Sequence, residues 1–261
     1  MSDLHVEIRG EGLPVVLLHG WGMNLRVWDP LAQALGERFR LIAVDLPGHG
    51  HSPWRPQYTT ARQQVQWISE TAAALVGRGP YVLLGWSLGA QLALQWAAGR
   101  AERLEHLVLL AATPRFAAAP DWPCGAPPGR LERLAAGLRN DYRRTLSEFL
   151  ELQVRGSTSG EAVLEQLRAA LFSHGEARPE ALCAGLDILR ETDLRAVVGD
   201  IRTPALVVAG QYDRVVLPAS SQALAKNMPR ARYVEIRRAA HAPFLSHTGE
   251  IAALMTGFLQ S

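Results

Sequence analysis

Only two cysteines occur in 261 residues, Cys124 and Cys183, and they lie far apart with no CxxC spacing. That excludes a disulfide-dense scaffold and a cysteine-based zinc or iron–sulfur site, and the two read as free thiols in a reducing compartment. Lysine is almost missing: Lys226 is the only one, so arginine supplies nearly all of the 27 basic charges set against 25 acidic ones. The net charge of +2 is spread along the chain. No basic stripe tracks a phosphate backbone, which argues against nucleic acid as a partner. No apolar run reaches the ~20 residues that cross a bilayer. Met1 to Gly12 lacks a basic start followed by an apolar stretch, so no signal peptide is expected and a cytoplasmic protein is the expectation. There is no P-loop, no GxGxxG after the first strand and no internal repeat, and no cofactor is expected.

What is present is a rhythm of short branched runs separated by turn-rich loops. Leu4 to Arg9 alternates as a half-buried strand, and Gly10-Glu11-Gly12 turns it. Pro14–Leu18 is a short unbroken apolar run, the pattern of a strand buried on both faces, and Arg40–Val44, Tyr81–Leu84, Leu104–Leu110 and Ala205–Ala209 are read as further strands. A last strand is expected near Ala231–Ile236. Helices are expected over Val27–Leu35, Thr60–Val76 and Ala90–Ala98, then near Ser220–Asn227 and Ile251–Phe258. Strand–loop–helix units of this length point to an α/β protein with a mostly parallel central sheet covered by helices on both faces.

The rhythm stops between Thr113 and about Val198. After a Pro/Gly-rich entry, helix-like segments follow at Arg130–Ala136, Tyr142–Val154, Glu161–Leu171 and Pro179–Leu189. We read residues 1–113 and 199–261 as the core and 114–198 as a helical cap, or lid, inserted over its active edge. The plainer reading is a solvated helical layer without a part in the chemistry.

Gly85-Trp86-Ser87-Leu88-Gly89 is a GxSxG that directly follows a buried strand and directly precedes a helix. A serine on so tight a turn projects its hydroxyl above the sheet edge, and side chains at the flanking glycines would collide. The helix N-terminus adds unpaired N–H groups that can receive an oxyanion. Ser87 is therefore the candidate nucleophile. Its base must be a histidine, and the order nucleophile, acid, histidine selects from the eight present. His5, His19, His49 and His51 precede the nucleophile, His106 precedes the cap, and His174 lies inside it. His241 follows the last strand and is the better placed of the remaining two; His247 suits a surface or capping role. Asp213, just after Ala205–Ala209, is the candidate acid, since Asp187, Asp193 and Asp200 lie in or beside helices. The strand before the cap ends in Ala111-Ala112-Thr113-Pro114, with no carboxylate.

The second oxyanion donor is expected from His19-Gly20-Trp21-Gly22, which makes the backbone N–H groups of Trp21 and Leu88 the candidate oxyanion hole. His19 reads as a brace for that loop. Trp21 and Trp86 are candidates for the acyl pocket, with ordinary packing as the alternative. Asp45 has His49 and His51 nearby, yet their loop reads as a Gly/Pro turn bracing the sheet edge, and no metal is expected.

These residues carry a likeness. The chain resembles the α/β-hydrolase superfamily and, within it, the carboxylesterases that act on the methyl ester of pimeloyl-[acyl-carrier protein] in biotin synthesis. The distinctive pieces are Leu18–Gly22, Val44–Gly48, Leu84–Gly89, Asp121-Trp122-Pro123 and Ala239–Phe244. The resemblance implies an α/β-hydrolase fold over essentially the whole chain. It also implies a Ser87, Asp213 and His241 triad, Trp21 and Leu88 as oxyanion donors, and Trp21, Trp86, Leu88, Arg144 and Phe149 against the substrate. The implied partner is acyl carrier protein, which cap arginines would meet: Arg144 matches one such position, and Arg139, Arg143 and Arg155 are further candidates. Glu148 stands where the family has an arginine, and Ala90 where it has a second glycine. From Arg115 through Arg155 seven arginines face five acids, a slight basic excess that can steer an acidic partner. The alternatives are a general short-chain carboxylesterase or lactonase with the same residues, and a non-catalytic hydrolase-like binding protein. A monomer is the default expectation.

Overall fold

Strands with long apolar stretches need cover on both faces. The computed structural model, which describes residues 4–99 and 101–260, gathers them into one seven-stranded sheet. The strands are β1 (Val6–Arg9), β2 (Leu13–Leu18), β3 (Phe39–Val44), β4 (Tyr81–Trp86), β5 (Leu104–Leu110), β6 (Ala205–Gly210) and β7 (Ala231–Ile236), in the spatial order β1-β3-β2-β4-β5-β6-β7. Only β1 runs antiparallel to its neighbour, β3; the other pairings are parallel. Val15–Leu18, Val82–Leu84, Leu107–Leu110 and Ala205–Ala209 are all within 1% of complete burial, so the apolar runs of the sequence are the middle of the sheet.

The helices α1 (Asp29–Leu35), α2 (Ala61–Val76) and α3 (Leu88–Ala98) connect β2 to β3, β3 to β4 and β4 to β5. The chain steps outward from β2 to β3, then reverses across β2 to β4 and β5. Right-handed crossovers then put α1 on one face and α2 with α3 on the other. Accordingly α2 packs along α3, while α1 packs against the final helix, α10 (Thr248–Leu259). The reversal makes the gap between β2 and β4 a switch point, where loops leaving the carboxyl ends diverge and open a crevice.

Local chemistry explains the element ends. Thr60 and Gln63 form a reciprocal capping box that starts α2. The helix expected over Val27–Leu35 is in fact two pieces, a 3₁₀ turn at Leu25–Trp28 and then α1. Pro30 has no N–H to give and is tolerated only in a first helical turn, so α1 restarts just before it.

The insertion between β5 and β6 contains α4 (Arg130–Asn140), α5 (Tyr142–Val154), α6 (Gly160–Ser173) and α7 (Pro179–Glu191). Helix α4 continues to Asn140 because Asp141 closes it with its own N–H on the Gly137 carbonyl (2.8 Å) and opens α5 with a side-chain cap on Arg144 N–H (3.0 Å). The two ends of the insertion meet: Leu194 N–H donates to the Pro114 carbonyl (2.8 Å), and Arg115 pairs with Asp193 (2.9 Å). The fold closes with α8 (Pro218–Asn227) against β6 and β7, and with the single-turn α9 (Pro243–Ser246) before α10.

Candidate active site

Ser87 stands between the end of β4 and the start of α3 with φ 57° and ψ −115°. L-residues seldom hold that conformation, and it costs of order 1–3 kcal/mol unless the surroundings impose it. Here they do: Ser87 N–H donates to Leu110 of β5 (3.0 Å), and its carbonyl accepts the first helical bond from Gln91 (3.1 Å). The flanking glycines leave the room this turn requires. A Cβ on Gly85 would sit 2.6 Å from the Ala90 Cα, and one on Gly89 would strike the Leu18 carbonyl oxygen. Ala90 itself is fully buried in α3, so a methyl group is accommodated at that departure from the family pattern.

His241 follows β7 in a loop at the same carboxyl edge of the sheet. Its Nδ1 is 2.8 Å from Asp213 Oδ2, and both residues are buried. The other carboxylate oxygen of Asp213 accepts the N–H groups of Val215 (2.8 Å) and Val216 (2.9 Å). Three donors therefore fix the acid, and the imidazole is oriented with Nδ1–H toward it. That leaves Nε2 with its lone pair, buried and without a partner among the described residues. The backbone of His241 is held at both ends. Its N–H donates to the Gln153 carbonyl of α5 (2.9 Å), and its carbonyl accepts the Trp86 indole N–H (2.8 Å). The imidazole lies 5.4 Å, ring to ring, from Trp86, the chain neighbour of Ser87. A strained serine, an imidazole with a free nitrogen and a buried carboxylate converge on one end of the sheet, a set able to activate a hydroxyl as nucleophile.

The loop after β2 lies beside this turn because Leu18 is in register with Gly85. His19 braces it: Nε2 accepts Leu46 N–H (3.0 Å), and Nδ1 donates to the Gly20 carbonyl (2.8 Å). Complete burial pushes the His19 pKa well down, so the ring is neutral, as one donor and one acceptor nitrogen require. The backbone N–H groups of Trp21 and Leu88 donate to no described residue, which leaves two donors free at the crevice.

The expected lining residues separate into two groups. Trp21 is buried, donates its indole N–H to the Leu182 carbonyl of α7 (2.9 Å) and meets the Phe149 ring edge-on at 5.0 Å. Trp86 instead lies under His241, wedged against Phe244 at 5.0 Å, as a strut. On the outer face of α5 the Arg144 guanidinium is bound to Glu148 (2.8 Å), and Arg143 to Glu176 on the α6–α7 connection (2.7 Å). Arg139 and Arg155 are exposed, with no acidic partner among the described residues. His247 hydrogen-bonds Ser246 (2.8 Å) ahead of α10.

Asp45 is the brace that its Gly/Pro loop suggested. Its oxygens accept Leu25 N–H (2.8 Å), His51 N–H (3.0 Å) and His174 Nε2 (2.9 Å). The pairing with His174, which reaches down from the insertion, had no signal in the sequence because 129 positions separate the two. The same holds for the link from Gln153 to His241: a backbone carbonyl carries no residue-type signature.

A family model described as "Alpha/beta hydrolase family" matches residues 15–254. The chain is 40% identical over 247 residues to a pimeloyl-[acyl-carrier protein] methyl ester esterase of Nitrosomonas europaea, covering 94% of this chain and 95% of that one. It is 40% identical to a protein of the same name from Stenotrophomonas maltophilia, covering 98% and 96%. Among solved structures, a malate-bound thermophilic esterase from Thermogutta terrifontis superposes with a TM-score of 0.85 at 26% identity, covering 98% of this chain and 93% of that one.

Proposed function

The chain belongs to the alpha/beta hydrolase family as an esterase of serine-hydrolase type, and from that premise we propose that its substrate is the methyl ester of pimeloyl-[acyl-carrier protein]. The observation that carries the substrate is the near-full-length similarity to esterases of that name. In this reading Ser87, His241 and Asp213 are the triad, and residues 114–198 are a lid over the core formed by 1–113 and 199–261. His241 Nε2 takes the Ser87 proton as Oγ attacks the ester carbonyl carbon, and the oxygen that gains charge meets the free N–H groups of Trp21 and Leu88. The C–O bond to the methoxy group breaks and His241 returns the proton, so methanol leaves and the acyl group stays on Ser87. A water, deprotonated by His241, then attacks the acyl-enzyme, and the proton passes back to Ser87 as the pimeloyl carrier is released. Asp213 holds the imidazole in the tautomer that accepts at Nε2 and stabilises its cation. None of these steps draws on a cofactor.

Trp21 and Phe149, paired edge to face between the β2 loop and α5, suit an apolar methylene chain. Arg139 and Arg155 supply free positive charge for an acidic carrier protein, with Arg143 and Arg144 beside them. No described helix is long and apolar enough to cross a membrane, and a cytoplasmic setting fits two free thiols. A second reading, a general short-chain esterase, is favoured by one observation: acids already hold Arg143 and Arg144. Steady-state hydrolysis of the carrier-linked methyl ester against a free short-chain methyl ester, with Ser87→Ala as the blank, decides between them. A strong preference for the carrier-linked ester supports the first reading, and equal or faster turnover of the free ester supports the second. A Ser87→Ala protein that keeps near-wild-type turnover removes both, since the loss should be at least ~10³-fold.

A further inference from the structure

Outside the crevice, three imidazoles crowd together where the start of the chain, the β3–α2 loop and the insertion meet. The His5 ring lies 5.1 Å from that of His174 and 5.2 Å from that of His51, and the His51 and His174 rings are 4.0 Å apart. Glu7 joins them, with Oε1 3.6 Å from His5 Nε2. That His5 nitrogen is buried and accepts or donates no hydrogen bond among the described residues. One ligand atom from each of His5, Glu7 and His174 lies within 4.8 Å of the others.

We propose that His5, Glu7 and His174 form a binding site for a divalent transition-metal ion, zinc above all, which clips β1 to the α6–α7 connection of the insertion. Two imidazoles and a carboxylate are a donor set that zinc takes up well, with a fourth position left for water. The support behind the ligands is in place. His174 Nε2–H donates to the buried Asp45 carboxylate (2.9 Å), which leaves Nδ1 with its lone pair. A histidine that gives its second ring N–H to a carboxylate is the usual arrangement at zinc.

Local charge also suits a dication. Glu7 and Asp29 pair with Arg9 and Arg26, and Asp45, held by two backbone N–H groups and His174, adds one negative charge beyond those pairs. The Glu7 carboxylate already carries Arg26 on both oxygens, so the ion would share it rather than displace the guanidinium. Tetrahedral ligands at bond lengths near 2.1 Å stand about 3.4 Å apart, and the three atoms must draw together by up to about 1.4 Å. His5, with a third of its side chain exposed, is the member free to move.

The test is calorimetric titration of Zn²⁺ into the chelator-stripped, full-length protein, followed by thermal unfolding with and without the ion. One equivalent should bind with a micromolar or tighter Kd and raise Tm by several degrees, because only the folded chain brings these ligands together. His5→Ala and Glu7→Gln should each weaken binding at least ~10-fold and abolish most of the Tm shift, while His247→Ala binds as the wild type does. His174→Ala is a poor test, since it strips Asp45 of a partner and threatens folding. Failure of the wild type to take up one equivalent, or wild-type affinity in both His5→Ala and Glu7→Gln, overturns the proposal.

Discussion

Replacing Trp86 by phenylalanine probes how the candidate base is held. The Trp86 indole N–H is the one described donor to the His241 carbonyl, and both residues are about 1% exposed. Phenylalanine keeps a ring edge-on to Phe244 but strands that carbonyl away from water, at a cost of ~1–3 kcal/mol. The smaller ring also leaves roughly 40 Å³ unfilled, which adds about 1 kcal/mol at ~24 cal/mol per Å³. Together the loss should be about 2–4 kcal/mol in urea unfolding. Freed at its carbonyl, the His241 loop can drift from Ser87, and displacements approaching 1 Å cost ~10²-fold in rate, so kcat for p-nitrophenyl acetate should fall roughly 10- to 100-fold. Trp28→Phe is the control. Trp28 is equally buried and packs on the same Phe244 at 4.7 Å, yet its indole nitrogen has no partner among the described residues. It loses only the volume, about 1 kcal/mol, and should leave kcat unchanged. Equal effects of the two substitutions on stability and rate would refute the claim that the hydrogen bond positions His241.

Three further outcomes are expected. Asp213→Asn should fold normally but lose ~10³–10⁴-fold in kcat, because the amide favours the wrong imidazole tautomer; a loss below tenfold argues against Asp213 as the acid. His19 and His49 are fully buried, with burial pushing His19 well down and His49 to about 4. The unfolded chain takes up these protons from about pH 6.5 while the folded one resists. Stability should therefore be level above pH 7 and fall as the pH drops from about 6.5 to 4, by about 3 kcal/mol for His49 alone. A His49→Gln variant should show a shallower fall in urea midpoints over that window, and an identical slope would contradict the assignment. Glu148→Ala releases the Arg144 guanidinium, so KM for the carrier-linked ester should drop at low salt with kcat on a free ester unchanged; an unmoved KM excludes Arg144 from carrier docking.

Much of this architecture is visible in one dimension. A strand buried on both faces must be apolar at every position, so runs such as Val15–Leu18 and Ala205–Ala209 announce themselves, and the sheet follows. Ser87 is equally visible, because its strained turn excludes side chains at positions 85 and 89 and so writes glycine into the chain around it. The candidate acid Asp213 and the candidate base His241 are picked out by order along the chain and by their place just past a strand.

What stays hidden is everything that depends on one surface meeting another. The sequence shows that Arg143 and Arg144 are basic, but only the folded insertion shows that Glu176 and Glu148 already hold them. Asp45 and His174 sit 129 positions apart, and nothing local to either suggests the pair. Trp86 reads first as pocket wall, with packing as the alternative, until its indole N–H is seen on the His241 carbonyl. The division has a physical cause. Backbone conformation and burial constrain the residue types along a segment and leave a periodic trace. A long-range hydrogen bond or ion pair instead needs one compatible atom at each end, and several residue types, or any backbone carbonyl, can supply it.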